Sequence, residues 1–219
     1  MNRDSDCGGM RKPALIFDLD GTLWDTRKPV VTTWNRVFEE AGFRPGLTFE
    51  LLTSLMGKPM DVFGAAVFPE LDPAVREPLI RAAERAENRD LLFSGKACLY
   101  PGAADVIRDL SRDYWIGIAS NCQSGYIETF LTVSGLQDAV DDCISHGDTG
   151  LGKADNIRIL MERNGLDEAW YAGDTAGDMV SAENAGISFV WCRYGFARDV
   201  AADGIDDPVQ LRGYLERHC

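Results

Sequence analysis

An unbroken apolar run, Ala14-Leu15-Ile16-Phe17, stops at Asp18-Leu19-Asp20-Gly21. Four apolar residues without alternation fit a strand covered on both faces. Ending such a strand in two carboxylates and a glycine opens its carboxyl edge into a crevice of the kind where parallel sheets bind ligands. The unit then recurs. Tyr114-Trp115-Ile116-Gly117-Ile118-Ala119 ends at Ser120-Asn121, Val140-Asp141-Asp142-Cys143-Ile144-Ser145 follows, Ala169-Trp170-Tyr171-Ala172 ends at Gly173-Asp174, and a last strand runs from Ile187 to Trp191. Helical segments fall between them: one through Leu110, one from Gly125 to about Val133, one from Lys153 to Asn164, one ending at Gly186 and one from about Pro208. This alternation predicts an α/β fold, a doubly wound and mainly parallel sheet with its functional loops on one edge.

The interval between the first two strands breaks the pattern. Thr26 is placed to cap a helix with Pro29 in its first turn and Val30, Trp34, Val37 and Ala41 on one face, and Gly42 follows its end. A second helix is expected between Thr48 and Gly57 on Leu51, Leu52 and Leu55; a long third one opens at Asp72-Pro73 and continues through Asn88, with Pro78 expected to break or kink it. Residues 27–90 therefore read as an all-helical insertion, with the sheet domain formed by 10–26 and 91–219. A crossover of that length needs a function, and a lid over the crevice supplies one.

Composition narrows the possibilities. The 219 residues are 45% hydrophobic, enough for a sizeable core, and show no repeat or low-complexity tract. Apolar runs are too short to cross a bilayer, and residues 1–9 are a polar arm rather than a signal-peptide core, with Met10 an alternative start; a soluble, cytoplasmic protein is expected. The net charge of −13 argues against nucleic acid and anionic membranes as partners, though not against a small anionic substrate. Monomer and homodimer both stay open. The six cysteines (Cys7, Cys98, Cys122, Cys143, Cys192, Cys219) have no Cys-x-x-Cys spacing and only His146 and His218 beside them, so reduced thiols are expected rather than zinc ligands or disulfides. Cys122 stands out because it follows Ser120-Asn121.

The candidate chemistry sits at strand ends. Asp18 and Asp20 lie on one side of an extended backbone, and at an effective dielectric near 20 a pair about 4 Å apart repels by roughly 4 kcal/mol. A metal, a lysine or a shared proton must offset that. The bland reading is that these residues cap a turn, and that Asp174 and Asp178 cap a helix. Two acidic pairs after two apolar strands, with Ser120 and Lys153 in the same series, strain that reading. No Walker A glycine-lysine pattern occurs.

Phe17-Asp18-Leu19-Asp20-Gly21-Thr22-Leu23 resembles the first motif of the haloacid dehalogenase superfamily of phosphoryl-transfer enzymes. Gly173-Asp174-Thr175-Ala176-Gly177-Asp178 resembles its fourth, with Ser120 and Gly152-Lys153 as looser matches between. The helical insertion is similar to that of the phosphoglycolate phosphatase-like subfamily. The resemblance implies a Mg²⁺-dependent phosphatase of a small phosphorylated metabolite, acting through an aspartyl-phosphate on Asp18. It further implies Asp20 as general acid and base, with its backbone carbonyl on the metal; Asp18, Asp174 and Asp178 as further metal ligands, the last directly or through water; and Lys153 as the cation on the nucleophile and phosphoryl group. Ser120 and the Asn121 N–H are implied as phosphoryl donors, and Thr22 as a loop residue near the substrate. Lys58, in Gly57-Lys58-Pro59 of the insertion, is the candidate for contact with the substrate's leaving portion. Asp20 favours phosphate esters, since dehalogenases lack the second acidic residue and phosphonatases carry alanine there. Met56-Gly57-Lys58-Pro59-Met60 lacks the Gly-x-Ser-Arg pattern of the β-phosphoglucomutase type; that sugar phosphomutase chemistry, or a silent phosphate-binding protein, is the alternative.

Overall fold

The computed structural model describes residues 12–44, 46–58 and 60–218. The polar arm of 1–9, Met10, Cys7, Pro59 and Cys219 lie outside the described residues. Strands β1 (Ala14–Phe17), β2 (Trp115–Ser120), β3 (Asp142–Ser145), β4 (Ala169–Gly173), β5 (Ser188–Cys192) and the two-residue β6 (Gly204–Ile205) form one parallel sheet in the order β3-β2-β1-β4-β5-β6. This is the doubly wound α/β sheet that the alternation predicted, and β6 is too short to have shown a period.

Both faces of the sheet are covered, which is why β1 reads as a continuous apolar run. Leu15 and Phe17 join a cluster with Ile116, Ile118, Ile107 and Phe130, while Ala14 and Ile16 point to the other face with Tyr171, Ile157 and Leu160. Helices α5 (Ala103–Leu110), α6 (Tyr126–Ser134) and α10 (Leu211–His218) supply the first layer; α8 (Lys153–Asn164) and α9 (Ala176–Ala185) supply the second. The short α7 (His146–Thr149) follows β3 directly.

Between β1 and β2 lie α1 (Arg27–Glu40), α2 (Phe49–Leu55), α3 (Met60–Val67) and α4 (Pro73–Ser94), with an apolar cluster of their own built on Trp34, Phe38, Leu52, Phe63 and Ala83. The chain enters and leaves them side by side: Asp25 N–H donates to Cys98 O and Tyr100 N–H to Leu23 O. Helix α4 runs through Pro78 and on to Ser94, past the expected boundary at 90/91. The bond Pro78 cannot make would reach the carbonyl of Ala74, an exposed residue, while Leu79, Ile80, Ala83 and Ala86 hold the helix by burial. Helix α3 was not distinguished in the sequence because its residues are apolar on nearly every side. Its Gly64 approaches α4 so closely that a Cβ would lie 3.1 Å from Ile80 Cγ1. Among the described residues no helix is long and apolar enough to cross a membrane.

Candidate active site

Strand order reverses between β1 and β4, so a crevice opens beyond their carboxyl ends. Asp18 follows β1 directly and Asp174 follows β4. Asp178 lies in the first turn of α9, where a capping box with Thr175 fixes it: Asp178 Oδ2 accepts from Thr175 N (2.9 Å) and Thr175 Oγ1 (2.7 Å). Asp178 Oδ1 is left to accept from Lys153 Nζ at 2.5 Å, and the same ammonium stands 2.9 Å from Asp18 Oδ1. Asp18, Asp174 and Asp178 each offer an oxygen within 4.8 Å of the others, and all three are buried. The one side chain both caps α9 and faces Lys153 and the acidic cluster.

Two glycines let the backbone crowd Asp174. Gly21 has φ +84°, and a Cβ there would collide with Asp174 Oδ2; a Cβ on Gly195 would collide with Asp174 Cβ. Phe196 N–H donates to Asp174 Oδ2 at 2.6 Å. Asp174 Oδ1 is buried with no hydrogen-bond partner. Burial pushes the Asp174 carboxyl up to about 8, aided by Asp178 and Asp18, and pushes Asp18 up to about 6 against the opposing Lys153. Burial pulls the Lys153 ammonium down, but Asp178 and Asp18 outweigh it and hold it well above its ordinary value.

Asp20, half-buried, turns to different company. Its Oδ1 accepts from Tyr126 Oη at 2.8 Å and from Thr26 Oγ1 at 3.0 Å, and the two hydroxyls are 2.9 Å apart. Burial pushes Asp20 up to about 7, opposed by the Tyr126 bond and helped by the Asp18 charge. Thr26 therefore corrects the sequence reading: it occupies the N-cap position of α1 but makes no capping bond, because its hydroxyl is used on Asp20 and Tyr126.

The crevice encloses about 550 Å³ of free space, its open mouth included, and is lined by Asp18, Asp20, Ser120, Asn121, Lys153 and Lys58, among others. Most of the residues singled out in the sequence thus face one cavity. The Asn121 side chain donates from Nδ2 to Gly57 O at 2.8 Å, tying the Gly57-Lys58 turn to the end of β2. Lys58 is exposed at this turn. Thr22 departs from expectation. It is fully buried, does not line the cavity, and its carbonyl accepts from Tyr194 Oη at 2.9 Å. Cys122 is buried and its thiol is pushed well above the ordinary value by burial, which removes it as a reactive group. Sequence reasoning missed Tyr126, Glu87, Trp34 and Phe196. Only Tyr126 left a trace, a polar aromatic at the start of the helix after Ser120-Asn121.

Three buried carboxylates facing one ammonium, one of them with an orphaned oxygen, fit a divalent cation that prefers oxygen ligands. The chain matches the family model of the haloacid dehalogenase-like hydrolases over residues 15–192. The chain belongs to that family. It is 28% identical over 207 residues to a phosphoglycolate phosphatase of Xanthomonas campestris, covering 91% of this chain and 90% of that one. The solved structure of a predicted phosphoglycolate phosphatase of Haemophilus somnus superposes with a TM-score of 0.79 at 19% identity, covering 94% and 100% of the two chains. A hydrolase of the family from Bacillus subtilis, whose magnesium-bound structure reveals interdomain movement, superposes with a TM-score of 0.71 at 20% identity over 94% and 99%. Within the family the chain is a phosphoric monoester hydrolase similar to the phosphoglycolate phosphatases.

Proposed function

We propose that the protein is a Mg²⁺-dependent phosphatase of a small phosphorylated metabolite, working through an aspartyl-phosphate on Asp18. The observation that carries this reading is the placement of Asp18 between Lys153 and the acidic cluster, with Asp20 two residues on and held separately by hydroxyls. Asp18, Asp174 and Asp178 would hold the metal, with the Asp20 carbonyl as a further ligand; Mg²⁺ when bound supplies positive charge against the phosphoryl oxygens.

Asp18 Oδ attacks phosphorus in line, and the bond from phosphorus to the ester oxygen breaks. Lys153 Nζ, fixed by Asp178, offsets charge on Asp18 and on the phosphoryl group. Ser120 Oγ and the Asn121 N–H donate to the equatorial oxygens. Asp20 enters protonated and gives its proton to the departing alkoxide; as a carboxylate it then takes a proton from the water that hydrolyses the aspartyl-phosphate. A pKa raised to about 7 suits both halves of that cycle. Residues 27–90 act as a cap over the core of 10–26 and 91–219, keeping bulk water from the acyl phosphate; the separate apolar cluster of α1–α4 supports this.

Purified protein with Mg²⁺ should release phosphate from p-nitrophenyl phosphate and from small phosphate esters. Acid quenching should trap phosphate on the wild-type chain and none on Asp18→Asn. Undiminished turnover after exhaustive chelation would remove the metal from this reading, and a labelled Asp18→Asn protein would remove the nucleophile.

A further inference from the structure

Where the chain leaves the core for the cap, Arg27 opens α1 with a cation, at a helix end where the backbone dipole disfavours positive charge. Its side chain is 17% exposed and is gripped from three directions. Asp25, at the crossing, takes the guanidinium in a fork: Oδ1 accepts from Nε at 2.8 Å and Oδ2 from Nη2 at 2.6 Å. From α2 of the cap, Thr53 Oγ1 accepts from Nη1 at 3.2 Å, and the centroid of the Phe49 ring lies 4.7 Å from the guanidinium carbon. From the core, the centroid of the Phe196 ring lies 4.1 Å from the same carbon. Phe196 is the residue whose N–H occupies Asp174 Oδ2 at 2.6 Å, which leaves Oδ1 as the buried, unpartnered oxygen of that carboxyl. A continuous chain of contacts thus runs from α2 through Arg27 and Phe196 to Asp174. The ion pair with Asp25 does not by itself require arginine, and such pairs near the surface contribute little. Lysine could make that pair, but it cannot fork onto a carboxylate and stack on aromatic rings at once.

Resting on the phosphatase reading above, we propose that Arg27 is a positioning residue for the metal side of the site. It holds the Phe196 turn against the cap, so that the Phe196 N–H keeps Asp174 Oδ2 and Oδ1 is presented to the cation. Arg27 does not line the cavity and acts through Phe196. Because α2 grips the same guanidinium, seating of the cap and loading of the cation favour each other, and by linkage the preference is mutual. The charge of Arg27 works the other way, since a guanidinium near the acidic cluster repels a divalent cation. An electrostatic role and a positioning role therefore predict opposite signs when the group is altered.

The test titrates Mg²⁺ into the metal-free, full-length chain by calorimetry. Arg27→Lys keeps the charge and loses the fork and the stack, so it should weaken Mg²⁺ binding by about three- to tenfold, below the range of residues that hold a metal ligand directly. Phe196→Leu keeps the backbone N–H and most of the apolar bulk, and should weaken binding by a similar factor. The double variant should bind about as well as the weaker single one, because both changes remove one contact. Hydrogen exchange of the α2 amides supplies a second readout: Mg²⁺ should slow it in the wild type and much less in Arg27→Lys. Unchanged or tighter Mg²⁺ binding in Arg27→Lys would overturn the proposal, as would losses that add in the double variant. Exchange in α2 that Mg²⁺ leaves unmoved in the wild type, or slows equally in Arg27→Lys, would overturn the coupling to the cap. Should Arg27→Lys fail to fold, Phe196→Leu decides alone, and an affinity equal to that of the wild type overturns the assignment. A wild-type chain that neither binds Mg²⁺ nor hydrolyses p-nitrophenyl phosphate would sink the phosphatase reading first, and this inference with it.

Discussion

At one end of the cavity Asp18, Asp174, Asp178 and Lys153 are packed into a buried cluster of full charges. At the other, Asp20 is held by two hydroxyls and Glu87 by the Trp34 indole N–H and the Gln123 side chain, and among the described residues neither forms an ion pair. The two ends use carboxyl groups differently. In the first cluster Lys153 offsets part of the burial penalty, and the divalent cation proposed there would offset the rest, so that the carboxylates could stay ionised as the proposed nucleophile and ligands. In the second no cation offsets a negative charge, so burial outweighs the opposing hydrogen bonds, from Tyr126 and Thr26 on Asp20 and from Trp34 and Gln123 on Glu87, and carries Asp20 to about 7 and Glu87 to about 8. On the proposed reading, identical chemistry in the side chain gives a nucleophile in one place and a proton carrier in another, and the difference is made by what stands within hydrogen-bond reach.

The contrast breaks most sharply if the proton carrier is removed. Asp20→Asn should lower kcat for alkyl phosphates by about 10²–10⁴-fold, the range of acid–base assistance, while acid quenching still traps phosphate on Asp18 from the activated aryl ester. Loss of trapping equal to that in Asp18→Asn would mean that the two carboxyls do not divide the work. A smaller effect is expected from Tyr126→Phe. It keeps the ring against Trp24, 5.1 Å between centroids, and deletes one of the two hydroxyls on Asp20; a bond to an ionised group contributes about 1.5–3 kcal/mol. A fall of about tenfold in kcat with little change in KM should follow, and a change confined to KM would show that Tyr126 grips substrate instead of orienting Asp20.

The third effect is on stability. Glu87 rises from an ordinary 4.5 in the unfolded chain to about 8 in the folded one, so between those values the folded state keeps a proton that the unfolded state has released. Stability contributed by that proton is present below about pH 4.5 and is lost as the pH climbs through 8. Glutamine does not titrate. The melting temperature of Glu87→Gln relative to wild type should therefore increase from pH 5 to pH 9, by about 8–16 °C for a chain of this size. A difference constant with pH would mean that Glu87 carries a partnered charge, and the contrast between the two ends would fail.

The metal-side end was largely legible in the sequence, because Asp18, Ser120, Lys153 and Asp174 all sit at strand ends or helix starts, where a parallel sheet brings its loops to one edge. The leaving-group end was not. Glu87 and Trp34 are 53 positions apart, and each reads as an ordinary helix residue; only the packing of α4 on α1 joins them. Thr26 has the local sequence of a helix cap, and the cap was overridden by Asp20 and Tyr126, the latter 100 residues away. Pro78 predicted a break by a local rule, and burial along the rest of α4 outweighed it.

What the sequence determined by itself is whatever depends on nearest neighbours along the chain: the apolar strands, their polar ends, the glycine that turns the backbone after Asp20, and so the sheet and its edge. The tertiary structure alone decided which carboxyl stands beside a cation and which beside a hydroxyl or an indole. Ionisation inside a protein depends on burial and on partners that the fold brings from distant positions, and neither is written in the residues adjacent to the group that titrates.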